Sequence, residues 1–142
     1  MSENAAFETA ARLLRHRDRA TADLDRRLAE RGFDSDERAA ALATLVRTGV
    51  LDDERFALER ARSLAARGAG DALIRHDLAT AGVEREHVQA ALDELEPESE
   101  RARRIVERRA GGPRTARYLA GKGFSEDVVR AAVAHANDDG IG

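Results

Sequence analysis

The sequence predicts an all-α fold, an elongated array of three tandem three-helix repeats. Three observations carry that prediction. The apolar residues are mainly Ala, Leu and Val, with four Phe, one Tyr and no Trp in 142 residues, a set that suits closely packed helices better than sheets. Charged residues make up 36% of the chain at a net charge of −3, as expected of helices whose exposed faces carry both signs. A set of apolar and glycine positions also recurs three times along the chain. Leu28, Leu78 and Leu119 are each followed four residues later by Gly32, Gly82 or Gly123, and then by Phe33, Val83 or Phe124. Fourteen residues before each Leu stands Leu14, Leu64 or Ile105, and three before those stands Ala11, Ala61 or Ala102. Nine residues after Phe33, Val83 and Phe124 come Leu42, Leu92 and Val133.

The first repeat reads over residues 1–50. Its first helix carries Ala11 and Leu14 at helical spacing, and its second carries Leu24 and Leu28. Gly32 ends the second helix, where a left-handed backbone closes a helix at no steric cost to glycine. Phe33 then folds back onto the last turn. The third helix starts at Asp34, and Glu37 three residues on completes a capping box.

A linker and the second repeat occupy residues 51–97. The repeated glycines are 50 residues apart from Gly32 to Gly82 and 41 apart from Gly82 to Gly123, and the extra nine residues fall around "RTGVLDDERF". The adjacent carboxylates there, beside Arg55, have the look of an acid–base or metal site, but the sequence supplies no convergent partners for one. They read instead as a helix start. Gly49 stops one helix, Val50 and Leu51 enter the core, and Asp52 or Asp53 caps the next, where the dipole favours negative charge. Ile74 and Leu78 belong to the second helix of this repeat. The third repeat covers residues 98–137, with Pro113 opening its second helix, where the missing N–H is tolerated, and Ser125 capping its third. Residues 138–142 read as a short acidic tail.

With these elements in place, the chain resembles the RecX family, regulators of the RecA recombinase. The resemblance rests on "GVLDDERFA" (Gly49 to Ala57), on Gly68, Gly70, Ile74, Leu78 and Gly82 in "RGAGDALIRHDLATAGV", and on "LLRHRDRATADLDRRLAERGF" near the start. It spans roughly residues 8 to 136, and order and spacing carry it rather than any single element. One departure is Ala20, where the family usually has Ser; Thr21 is then the expected cap. The resemblance implies an all-helical protein that lodges in the groove of the RecA filament on single-stranded DNA. There it would suppress ATP hydrolysis, strand exchange and co-protease activity, and so act on recombination, DNA repair and the SOS response.

The charge pattern supplies surfaces for such contacts. Residues 101–123 hold eight basic residues against Glu107 alone, a net of +7, while residues 84–100 hold seven acids against Arg85, a net of −6. The candidate RecA- or nucleic-acid-binding residues are Arg101, Arg104, Arg108, Arg109, Arg114, Arg117 and Lys122 of this block, with Arg60, Arg67 and Arg75 of the second repeat. The alternative is an arginine-rich face neutralised by the preceding acidic helix. Tyr118 is the one aromatic near the block, which favours phosphate contact over base stacking. Arg12, Arg15 and Arg19 recur at three- and four-residue spacing and extend the stripe. Twenty-three of the 24 basic residues are Arg, the side chain that forks onto phosphate and carboxylate, although a GC-rich genome would raise Arg, Ala and Gly together.

Other classes find less support. Helix, glycine turn and helix superficially suggest a helix-turn-helix, but the helix starts that would face DNA read "DSDERAA", "EREHVQA" and "SEDVVRA", acidic and of the wrong sign. "AGKGFS" has neither the upstream glycine nor the Ser or Thr of a phosphate-binding loop. Four histidines stand one per helix without metal-ligand spacing, cysteine is absent, and no nucleophile elbow occurs. No catalytic residue, metal or cofactor is assigned. The acidic N-terminus and the lack of a long apolar run point to a cytoplasmic protein with no signal peptide or membrane span, and a monomer is the expected state. The expected partners are the RecA filament and, weakly and without sequence preference, single-stranded DNA. A stand-alone DNA-binding adaptor with no RecA role is the alternative.

Overall fold

The computed structural model describes the backbone of residues 2–141 and the side chains of residues 2–136. Among these the chain forms nine helices and no strand: α1 (Glu3–His16), α2 (Thr21–Glu30), α3 (Ser35–Arg47), α4 (Asp53–Ala66), α5 (Asp71–Thr80), α6 (Arg85–Glu94), α7 (Glu98–Arg109), α8 (Pro113–Gly121) and α9 (Glu126–Ile141). The all-α repeat array expected from the sequence is the fold observed. The helices gather in three units, α1–α3, α4–α6 and α7–α9, each around its own apolar cluster. Extensive helix–helix packing lies inside the units, most of it between the first and third helix of each, and neighbouring units meet at loops and helix ends. No helix among the described residues is long and apolar enough to cross a membrane.

The recurring columns are the cores. Leu28, Leu78 and Leu119 are fully buried, with Phe33, Val83 and Phe124 folded over them. Complete burial of one such leucine contributes about 1.5–3 kcal/mol. Gly32, Gly82 and Gly123 stand at φ +88°, +85° and +90°, and the N–H that follows each donates to the carbonyl of Leu28, Leu78 or Leu119 at 3.0 to 3.2 Å. This is the glycine-closed helix end that the sequence predicts. Asp34 and Glu37 form the reciprocal capping box at the start of α3.

The first unit departs from the columns in α1. Ala6 and Ala10 are the fully buried residues of that helix, while Ala11 and Leu14 are half-buried. Helix α1 leaves through an extended Arg17 at φ −162°, where α4 closes on Gly68 at φ +91°, and its buried stripe sits one residue earlier. Arg19 lies beyond the end of α1 and is buried, so it does not continue the exposed Arg12–Arg15 face.

In the linker, Asp52 caps α4 by accepting from the Arg55 N–H at 3.1 Å. Leu51 is buried and its N–H donates to the Leu45 carbonyl at 3.0 Å, but Val50 is 50% exposed, contrary to expectation. The left-handed Gly49 (φ +78°) turns the chain so that Leu51 alone meets the last turn of α3. Thr21 is not a cap either. Ala20 takes that position without a side-chain bond and buries itself in the core of the second unit. Thr21 follows as the first helical residue, and both its N–H and its hydroxyl donate to Asp53 Oδ1, at 2.8 and 2.9 Å. Of the expected acidic tail, 138–142, residues 138–141 fall at the end of α9; residue 142 and the tail's side chains lie outside the described residues.

Candidate polyanion-binding groove

Helix α4 turns Phe56, Ala57 and Ala61 toward its core, and α7 turns Ala102, Ile105 and Val106 toward its own. Both helices therefore present their remaining faces outward, and the C-terminal half of α4 lies across a groove from α7. Two adjoining cavities of about 290 and 300 Å³ make up the groove. They share Ala66, Gly68, Ile105 and Arg108. The floor is small and apolar; the rim is cationic. Arg62 and Arg67 come from α4 and its cap, and Arg104, Arg108 and Arg109 come from α7, with Glu96 the one acidic residue in the lining.

Gly68 keeps the floor open. A side chain there would project toward the Lys122 Cε and the Tyr118 hydroxyl, each 3.6 Å from the position of a Cβ, and its φ of +91° is a conformation that residues with a Cβ rarely adopt. Lys122 thus stands at the edge of the floor and adds to the positive rim. Arg108 falls four residues after Arg104, so the two share one face of α7. Of the rim cations, Arg62, Arg67, Arg108 and Lys122 have no carboxylate partner among the described residues. Arg104 shares its charge with Glu96, 2.8 Å away, and remains well exposed. The Arg109 guanidinium stacks on Tyr118, 3.7 Å from the ring centroid. That face of Tyr118 is already covered, just as Arg101 lies over Phe124, the other aromatic at the groove, at 5.9 Å, and what Arg109 offers outward is a planar, fixed fork.

The structure divides the remaining candidates. Arg101 is buried: its Nε donates to the Glu96 carbonyl at 2.9 Å, one terminal nitrogen to the Ala69 carbonyl at 2.8 Å, and the other to the Asp71 carboxylate. A guanidinium with every arm engaged inside the protein has none left for a partner. Arg60 is similarly held, by both oxygens of Asp77 at 2.9 and 3.1 Å, and that bond raises its already high pKa despite the opposing effect of burial. Arg75, Arg114 and Arg117 are exposed, on α5 and α8, outside the groove lining. The basic block divides by the partners its residues find. Arg101, Arg103 and Arg104 find carboxylates, whereas Arg108, Arg114, Arg117 and Lys122 do not.

Arg62 is the groove residue that sequence reasoning missed. The signal available was Ala65–Ala66, three and four residues on, a small pair on the same helix face that leaves room beside a long side chain.

An array of three-helix units, here with a cation-rimmed groove between two of them, defines a helical-repeat protein. Residues 52–92 match the family model for the second three-helix domain of RecX. The chain is 35% identical over 147 aligned positions to the regulatory protein RecX of Stenotrophomonas maltophilia (strain R551-3), covering 96% of this chain and 90% of that one. It is 36% identical over 138 positions to the regulatory protein RecX of Chromohalobacter salexigens, covering 91% of each. The crystal structure of RecX from Lactobacillus salivarius shares the fold at a TM-score of 0.82 and 16% identity, covering 95% of this chain and 96% of that one. The chain belongs to the RecX family of regulatory proteins.

Proposed function

We propose that the chain binds RecA filaments assembled on single-stranded DNA and inhibits their ATP hydrolysis and recombination activity. It acts by contact, without bond-making of its own, as a monomer in the cytoplasm. The observation that carries this reading is the facing pair of unpartnered arginines, Arg62 on α4 and Arg108 on α7, across a groove with a single acidic residue in its lining. Such a groove suits a polyanion, and a nucleoprotein filament repeats its phosphates at every subunit. An array several units long can engage neighbouring subunits at once, so that modest contacts combine through effective concentration. Arg67, Arg104, Arg109 and Lys122 support the groove contact; Arg75, Arg114 and Arg117 are positioned for contacts outside it.

The test is RecA ATP turnover on single-stranded DNA titrated with this protein. Turnover should fall at amounts of protein at or below those of RecA, and replacing Arg104, Arg108 and Arg109 by Ala should weaken the inhibition without lowering helicity. Unchanged turnover at any ratio would remove the regulator reading. A DNA-binding adaptor with no RecA role would lose RecA from a pulldown once nuclease has destroyed the DNA, and its affinity would be indifferent to RecA.

A further inference from the structure

The units meet at two joints that share a plan. At each, a carboxylate in the first turn of one unit's first helix reaches back to the start of the preceding unit's second helix. Asp53 serves Thr21 in this way, and Glu98 Oε2 accepts from the Asp71 N–H at 2.6 Å. Helix starts leave such N–H groups without intrahelical partners, and a carboxylate there also meets the positive end of the dipole.

Beyond the shared plan the joints differ. The other oxygen of Glu98 accepts from the Ser125 N–H at 3.1 Å, so a single carboxylate ties α5 to the start of α9. Two main-chain bonds cross the second joint, from Gly70 N–H to the Lys122 carbonyl at 2.7 Å and from Ala72 N–H to the Gly123 carbonyl at 3.1 Å. The backbones approach so closely that a Cβ on Gly70 would stand 2.5 Å from the Gly123 carbonyl. Arg101, one turn after Glu98, is buried there with all three arms bonded. No main-chain bond crosses the first joint among the described residues. Its buried arginine, Arg19, donates to Asp23 at 3.2 Å and leaves its Nε without a partner.

The second joint is also the groove. Arg101 precedes Arg104 by one turn and Arg108 by two on the same helix, and the Ala69 carbonyl that it holds lies three residues after the end of α4, the other wall. One side chain therefore fastens the two walls to each other. We propose that Glu98 and Arg101 are positioning residues that lock units two and three into one rigid body and fix the arginines of α4 and α7 at a set spacing for a polyanion. This rests on the polyanion reading of the groove, and it assigns Arg101 a role through its neighbours in place of direct contact.

Arg101→Lys tests it, because lysine keeps the charge but its donors radiate from a single nitrogen and cannot span the acceptors that the planar guanidinium reaches from three. Two readouts are needed: hydrogen exchange at the Gly70 and Ala72 amides, and affinity for a dT homopolymer over a salt series. The variant should exchange at least about tenfold faster at both amides and bind about threefold or more weakly, with unchanged helicity. Slow exchange retained in the variant overturns the lock, and fast exchange with wild-type affinity overturns the positioning role. If Arg101→Lys fails to fold, Glu98→Gln, which keeps the shape and loses the charge, is read by the same criteria. A wild-type protein that ignores the homopolymer at low salt refutes the polyanion reading, while amide exchange still judges the lock separately.

Discussion

Replacing both Arg62 and Arg108 with Ala separates groove cations from cations already in use. The two guanidinium groups rim the same cavity from opposite helices and have no carboxylate partner among the described residues. Each phosphate neutralised on a single strand contributes about 0.7 to the slope of log affinity against log salt. If each arginine engages one phosphate, the double variant's slope is shallower by about 1.4. Fluorescence anisotropy of a labelled dT homopolymer, titrated from low to moderate salt, measures it. Arg60→Ala is the matched control, since Asp77 holds that guanidinium with both oxygens. It should leave the slope alone and cost well under about 1 kcal/mol of stability, because solvent screens a pair this exposed. An unchanged slope in the double variant, or an equal loss in Arg60→Ala, would show that these two arginines do not engage phosphates.

Three further outcomes follow from the packing and electrostatics. Leu78→Ala, at a fully buried position in the central unit, should cost about 2–5 kcal/mol in denaturant unfolding. Burial alone would push the Asp23 carboxyl up, but hydrogen bonds from Arg26, Arg19 and Arg27 outweigh it and hold the group below its ordinary 3.8. Its contribution to stability is therefore present above that value and lost as pH falls through it toward the lower folded value. Asp23→Asn should lower the melting temperature at neutral pH, and the gap from wild type should narrow as pH falls below 3.8; a constant gap contradicts this. Ala110, which ends α7 at φ +68°, is the one non-glycine residue with positive φ among those described. Ala110→Gly should raise stability by about 1 kcal/mol, the relief of strain less the added freedom of the unfolded chain. A melting temperature at or below wild type would argue against strain there.

Features encoded by neighbours a few residues apart were legible in the sequence. The leucine columns, the left-handed Gly32, Gly82 and Gly123, and the capping box of Asp34 and Glu37 all depend on contacts within one helix or its turn. What was not legible depends on partners from elsewhere in the chain. Arg60 is neutralised by an aspartate on the following helix, and Arg101 is buried by Asp71 and Ala69 from a different unit. Charge counting along the sequence scores both as free. Thr21 reads as a cap because the carboxylate that serves it, Asp53, arrives from the next unit's first helix. The same gap hid Arg62, whose value comes from facing α7 across the groove.

In the proposed function, the α4–α7 groove is the surface that meets the filament. A photo-crosslinking residue at Ala66, exposed in the groove floor, tests this directly, with Gln89 on the exposed face of α6 as the comparison site. On RecA filaments formed over single-stranded DNA, Ala66 should cross-link to RecA or to the DNA and Gln89 should not. Equal cross-linking from both positions, or cross-linking from Gln89 alone, would place the filament contact elsewhere on the protein.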